Sequence, residues 1–228
     1  MNAVILDFYG LPGCGKSTVS HLVAEKLRSI NYVVEEPSYW LDHDMRPAVR
    51  KLKKLFAAAG YAVRRPSTAK VILSLVQQNG YHKAGRILSQ SINVATKLSA
   101  IEKKYTRCDY IIFDEGIRQA AVSLAVSTSP DRVNQNMIEL NGLLPRNIKC
   151  YSVYIWENIA TSMERMDGRM KHDSRAEKEK DNNKRRSLLE KFEQTCNGFK
   201  AQDEIAVMLP NADVESKAEM IFNRINGK

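Results

Sequence analysis

Eight consecutive residues, Gly10-Leu11-Pro12-Gly13-Cys14-Gly15-Lys16-Ser17, carry the spacing GxxxxGK[S/T]. The chemistry this spacing serves is done largely by the backbone. Glycines at fixed positions let the chain curl and aim successive N–H groups inward at a polyphosphate, and a helix beginning near Lys16 adds the positive end of its dipole. Lys16 is then placed to neutralise the outer phosphates and Ser17 to ligate Mg2+. Gly10, Gly13, Cys14, Gly15, Lys16, Ser17 and Thr18 are therefore the expected binding residues for a nucleoside triphosphate such as ATP.

Three other groups have residue types that fit the same chemistry. The run Tyr110-Ile111-Ile112-Phe113 ends in Asp114-Glu115, which puts two carboxylates at the carboxyl edge of a buried strand, where open α/β sheets bind ligands. Asp114 is expected to hold Mg2+ through water as the partner of Ser17. Glu36 follows a second apolar run and precedes Pro37; a carboxylate there can take the proton of an attacking hydroxyl, and the proline stiffens the turn that aims it. Arg165 and Arg169 stand at i and i+4 on an expected helix over 157–169, with Arg175 beyond Gly168. Their guanidinium groups can close over a migrating phosphoryl group and stabilise its charge.

Positioning these groups requires strands that end together. Apolar runs rich in valine, isoleucine and tyrosine predict strands near 2–8, 31–36, 109–114, 148–155 and 203–209, separated by helical patterns, the alternation of a five-stranded parallel sheet with helices on both faces. Helices are expected over 47–59, 67–78 and 84–105, divided by turn signals at Gly60, Arg65-Pro66 and Asn79-Gly80. This excess over a single crossover makes 37–108 a helical acceptor-binding insertion. Residues 157–186 form an arginine-rich lid region within one domain spanning 1–228, whose 175–186 part mixes both charges as a solvated helix does. The C-terminal unit is a strand, a turn at 210–213 and a helix over 214–225 with Asp213 as its cap.

A chain of 228 residues with 43% hydrophobic content can bury one sizeable core. The longest apolar stretches, 71–76 and 120–126, are too short to span a bilayer, and Asp7 interrupts the N-terminal apolar run. The expectation is a soluble, cytoplasmic protein. The cysteines at 14, 108, 150 and 196 form no CxxC pair and no ligand spacing with the histidines at 21, 43, 82 and 172, so neither a disulfide framework nor a zinc site is indicated. A net charge of +9 without an aromatic-interleaved basic motif points to anionic nucleotides in preference to nucleic acid.

With these residues in place, the chain resembles the P-loop nucleoside and nucleotide kinases, especially the deoxynucleoside kinase and thymidylate kinase group. The resemblance covers the loop and first helix, Glu36-Pro37 with Trp40, the acidic strand end at Asp114, the arginines at 165 and 169, and the final strand-turn-helix. It implies an α/β P-loop fold and transfer of the γ-phosphoryl group of ATP to a small-molecule acceptor, with Mg2+. Lys16, Glu36, Arg165 and Arg169 would be catalytic, with Glu36 as base. Kinases of this kind are often dimers through their helices, so the resemblance allows a homodimer. One departure stands out: an arginine that those kinases carry just after the first acid is replaced by Glu115-Gly116, leaving Arg118, Arg64, Arg65 and Arg86 as candidates to substitute for it. Glu36 favours a hydroxyl acceptor such as a nucleoside or sugar; Arg64-Arg65 favours a phosphate-bearing one. A different class of function is also compatible with Asp114-Glu115: an ATP-hydrolysing switch in which the second acid activates water and no small-molecule acceptor takes part.

Overall fold

The computed structural model describes residues 3–39, 46–80, 84–145, 148–168, 175–199, 204–208 and 212–227. Strand β1 (Val4–Gly10) lies at the centre of the sheet, and its side chains Ile5, Leu6, Phe8 and Tyr9 are all buried. A strand buried on both faces is apolar nearly throughout, and here only Asp7 breaks the run, itself buried. It pairs in parallel with β3 (Tyr110–Phe113) on one side and β4 (Lys149–Ile155) on the other. β2 (Val34–Glu35) adds to β3 and β5 (Glu204–Val207) to β4, giving five parallel strands in the order β2-β3-β1-β4-β5.

Helix α1 (Lys16–Ser29) follows β1 directly and packs Val19, Val23, Ala24 and Leu27 into the core. Between β2 and β3 run α2 (Pro47–Arg64), α3 (Pro66–Gln78) and α4 (Ala84–Lys104). α5 (Ile117–Ala125), a 3-10 turn (Pro130–Arg132) and α6 (Val133–Asn141) connect β3 to β4. Beyond β4 lie α7 (Ile159–Asp167), α8 (Arg175–Lys178) and α9 (Asn182–Asn197), and α10 (Val214–Ile225) follows β5.

Several sequence boundaries move. The expected break at Gly60 is absent: α2 continues through it to Arg64 and packs along α4, burying Ala58 and Tyr61. A single helical glycine costs only about 1 kcal/mol, which that burial outweighs. The second strand shrinks to two residues, because Asn31 turns the chain at φ 67° and the Val33 N–H is taken by the Asp109 carboxylate, which accepts from it at 2.7 Å. The helix expected from 157 starts at Ile159, since Asn158 caps it by accepting from the Thr161 N–H at 2.7 Å. The 175–186 segment is divided between α8 and α9, the latter capped by Asp181. Trp40, Arg169, Pro210 and Asn211 lie outside the described residues. At the C-terminus Asp213 accepts from the Ser216 N–H at 2.6 Å and caps α10.

Candidate functional site

Parallel pairing places the ends of β1 and β3 side by side: Asp7 lies opposite Phe113, so the chain leaves β1 into the glycine loop beside Asp114. Gly13 adopts φ +84°, and a Cβ there would lie 2.5 Å from the Ser162 carbonyl of α7; a Cβ on Gly10 would lie 2.3 Å from the Ile155 carbonyl of β4. The loop therefore needs glycine both for left-handed backbone and for close approach to neighbouring chain. Its start is clamped by Gln119, whose side-chain carbonyl accepts from the Gly10 N–H at 3.0 Å.

Lys16 is buried and folds back over the loop, donating to the carbonyls of Leu11 at 2.8 Å and Gly10 at 3.2 Å. Burial opposes its charge, but the negative potential of Cys14, Glu115, Cys196 and Asp114 outweighs this and holds the ammonium above its ordinary pKa. Cys14 is buried and Thr18 exposed. The first turn of α1 contains no acidic residue and Gly15 offers no side-chain cap, so among the described residues neither a first-turn acid nor a capping side chain meets its N–H groups.

Ser17 donates to Asp114 Oδ2 at 2.7 Å, and Ser38 donates to Asp114 Oδ1 at 2.5 Å. Two residues 97 positions apart thus meet at the mouth of the loop. Hydroxyl and carboxylate oxygens are the hard donors Mg2+ takes, usually with water and substrate phosphates completing its shell.

Glu36 is brought to the same edge of the sheet but into a different partnership. Its buried carboxylate takes Arg28 Nη1 at 2.7 Å and His21 Nδ1 at 3.1 Å, while Tyr39 stacks on the His21 ring at 3.9 Å between centroids. Arg165, on α7, lies beside the loop: its Nη1 is 3.9 Å from where a Gly15 Cβ would stand. It is held there by the fully buried Glu157, at 3.1 Å, which also takes Lys217 Nζ of α10 at 2.9 Å. Burial alone would raise the Glu157 pKa, but Lys217 and Arg165 hold it below the ordinary value.

The candidates to replace the missing arginine are placed elsewhere. Arg118 is buried beneath the sheet edge, donating to Ser152 Oγ at 2.7 Å and to Asn141 Oδ1 at 3.2 Å, with its backbone N–H on Asp7 Oδ2 at 3.0 Å. Burial raises the Asp7 pKa against the opposing pull of Arg118. Gly116 is required here because a Cβ would fall 2.1 Å from Asp7 Oδ1. Arg64 and Arg65 both pair with Glu102, at 3.4 and 2.9 Å, and Arg86 is exposed.

Among the described residues, cavities open between the helices that join β2 to β3 and the sheet edge, and two of them share residues. One, of about 180 Å3, is lined by Pro37, Ser38, Lys54, Asn93, Lys97 and Glu115. The other, of about 160 Å3, includes Pro12, Gln90, Asn93, Lys97, Glu115 and Gln119. Asn93, Lys97 and Glu115 belong to both. Sequence reasoning missed Gln90, Asn93, Lys97 and Gln119; the signal for the first three was a polar stripe at i, i+3 and i+7 along α4, whose Val94, Leu98 and Ile101 face the core.

Neither a protein-family model nor a curated protein sequence matches the chain. Solved structures do match in fold. Thymidylate kinase from Candida albicans is similar with a TM-score of 0.59 at 12% identity, over 99% of this chain and 92% of that one. Deoxyadenosine kinase from M. mycoides with bound dATP is similar with a TM-score of 0.52 at 17% identity, over 98% and 100% of the two chains. The chain therefore has the fold of the P-loop nucleoside and nucleotide kinases. No helix among the described residues is long and apolar enough to cross a membrane.

Proposed function

We propose that this protein is a kinase that transfers the γ-phosphoryl group of ATP to a nucleoside or nucleotide. The observation that carries the reading is the meeting of Ser17 and Asp114, 2.7 Å apart, at the mouth of a glycine loop that already encloses a charged lysine. The fold shared with a thymidylate kinase and a deoxyadenosine kinase supports it.

In this reading the N–H groups of Gly13, Gly15 and the first turn of α1 hold the triphosphate, with Cys14 and Thr18 completing the loop's contacts. Lys16 exchanges its two loop carbonyls for the outer phosphate oxygens, and retains its proton as it does so. Ser17 and Asp114 would hold Mg2+, which would supply positive charge to neutralise the triphosphate. Arg165, beside Gly15 on α7, stabilises charge on the transferring group, and Arg169 is assigned the same role from its sequence position. Glu36 is the proposed base for a hydroxyl acceptor, acting from within its pairing with Arg28 and His21. The residues of the two cavities surround the acceptor, and the homodimer the resemblance allows is checked by sedimentation velocity.

The test is ATP turnover by the purified protein, alone and then with panels of nucleosides, nucleoside monophosphates and sugars, beside Lys16→Ala. Acceptor-dependent turnover that Lys16→Ala abolishes is the expected result. Rapid hydrolysis indifferent to every acceptor would instead make the protein an ATP-hydrolysing switch using Asp114-Glu115, and undiminished turnover by Lys16→Ala would remove the loop from the chemistry.

A further inference from the structure

We infer that Lys97 is the acceptor-side cation of this site and that the acceptor is a phosphate monoester, seated where the two cavities share Asn93, Lys97 and Glu115. This rests on the kinase reading above and narrows its acceptor.

Lys97 is half-buried on α4, and it makes no hydrogen bond or ion pair with the described residues. Desolvation pulls its pKa down, against the opposing charges of Glu115, Asp7 and Asp114, and Lys54 adds a like charge. Two of those three carboxylates are already engaged: Asp7 by Arg118, Asp114 by Ser17 and Ser38. A cation half removed from water and left without a bonded partner is compensated when an anion arrives. Lys54 lines the same cavity from α2, and its position is tied to α4 by Thr96, whose hydroxyl donates to the Lys54 carbonyl at 3.2 Å. Asn93 beside Lys97 supplies neutral hydrogen bonds to the anion.

The second observation is the occupation of Glu36. A hydroxyl acceptor would have to give its proton to this carboxylate in competition with its ion pairs to Arg28 and His21. A phosphate monoester needs no base, because near neutral pH it is largely a dianion. One of its oxygens attacks the γ-phosphorus; the new O–P bond forms as the bond from that phosphorus to the bridging oxygen breaks, the electron pair leaves with ADP, and no proton moves.

The experiment compares thymidine monophosphate and glucose 6-phosphate with thymidine and glucose as acceptors, in wild type, Lys97→Met and Lys97→Arg. Equilibrium binding of each acceptor and of ATP is measured alongside steady-state transfer. The expected result is transfer to a phosphorylated acceptor only. Lys97→Met should lower kcat/KM for it by about 10- to 100-fold, mostly through KM, with ATP binding retained and Lys97→Arg largely restoring the rate. The nucleotide and sugar arms identify which molecule carries the phosphate. Transfer to thymidine or glucose that Lys97→Met leaves unchanged would overturn the subsite while preserving the kinase reading. Phosphorylated acceptors bound through Lys97 but never phosphorylated would preserve the subsite and overturn the kinase reading; no loss of their binding or transfer in Lys97→Met would overturn the subsite outright.

Discussion

At the scale of single residues, the site depends on positions where a change of one atom alters what the backbone can do. Gly13 combines φ +84° with a carbonyl 2.5 Å from its missing Cβ, so Gly13→Ala must shift either the loop or α7. The expected outcome is loss of triphosphate binding by calorimetry and a destabilisation of about 1–3 kcal/mol in urea unfolding, with far-UV circular dichroism unchanged. Glu36 is a sharper case, because its carboxylate could be a base or a strut. Glu36→Gln is expected to lower transfer to a hydroxyl acceptor by about 10²–10⁴-fold if it is the base. With a phosphate acceptor the same variant should leave kcat within a few-fold of wild type and lower stability instead, because Arg28 loses its 2.7 Å partner. Measuring both quantities on one variant separates the roles.

Elements decide how those residues are aimed. α1 begins at Lys16 without an acidic first turn, whereas α10 and α9 are capped by Asp213 and Asp181. Caps with side chains stabilise their own helices; the helix that follows the glycine loop is left open to an external anion. Asp213→Ala is expected to lower the midpoint of chemical denaturation. It should also fray the start of α10, detected by faster amide exchange at Ser216, whose N–H loses its 2.6 Å acceptor. α4 works differently: one stripe packs the core with Val94, Leu98 and Ile101 while Asn93 and Lys97 line the cavities, so a single amphipathic helix both anchors its neighbours and shapes the space beside the sheet edge.

Across the whole molecule, an ionic chain joins the C-terminal helix to the glycine loop: Lys217 to Glu157, Glu157 to Arg165, and Arg165 beside Gly15. Lys217→Met leaves a fully buried carboxylate with one partly exposed partner, which is expected to cost about 3–5 kcal/mol at neutral pH. Because pairing depresses the Glu157 pKa below its ordinary 4.5, the stabilisation is complete above that value and is lost as pH falls through the depressed one. With Lys217 gone, burial is no longer offset and the variant's Glu157 takes up its proton at higher pH than the wild type's, so the difference in stability between wild type and Lys217→Met should be largest near neutral pH and shrink as pH falls. Asp7, raised by burial, contributes with the opposite sign, favouring the folded state below its ordinary 3.8 and losing that contribution as pH rises through its raised value. Urea titrations of both proteins between pH 3 and 7, read as the difference, cancel the Asp7 contribution, which is common to them.

From the sequence alone came the local features: the glycine spacing, the apolar strands that alternate with helices, the acid ending β3 and the Asp213 cap, because backbone preference and hydrophobic period act over a few residues. Gly60 and the end of β2 were misread for the same reason, since packing along α4 and pairing at the sheet edge override local signals. The register of parallel strands alone brought Ser17 to Asp114 across 97 residues. Packing likewise drew Glu36 into the grip of Arg28, buried Arg118 under the sheet and turned Lys97 into the cavities. Long-range partners are chosen by which surfaces meet when the core closes, and no spacing along the chain encodes that choice.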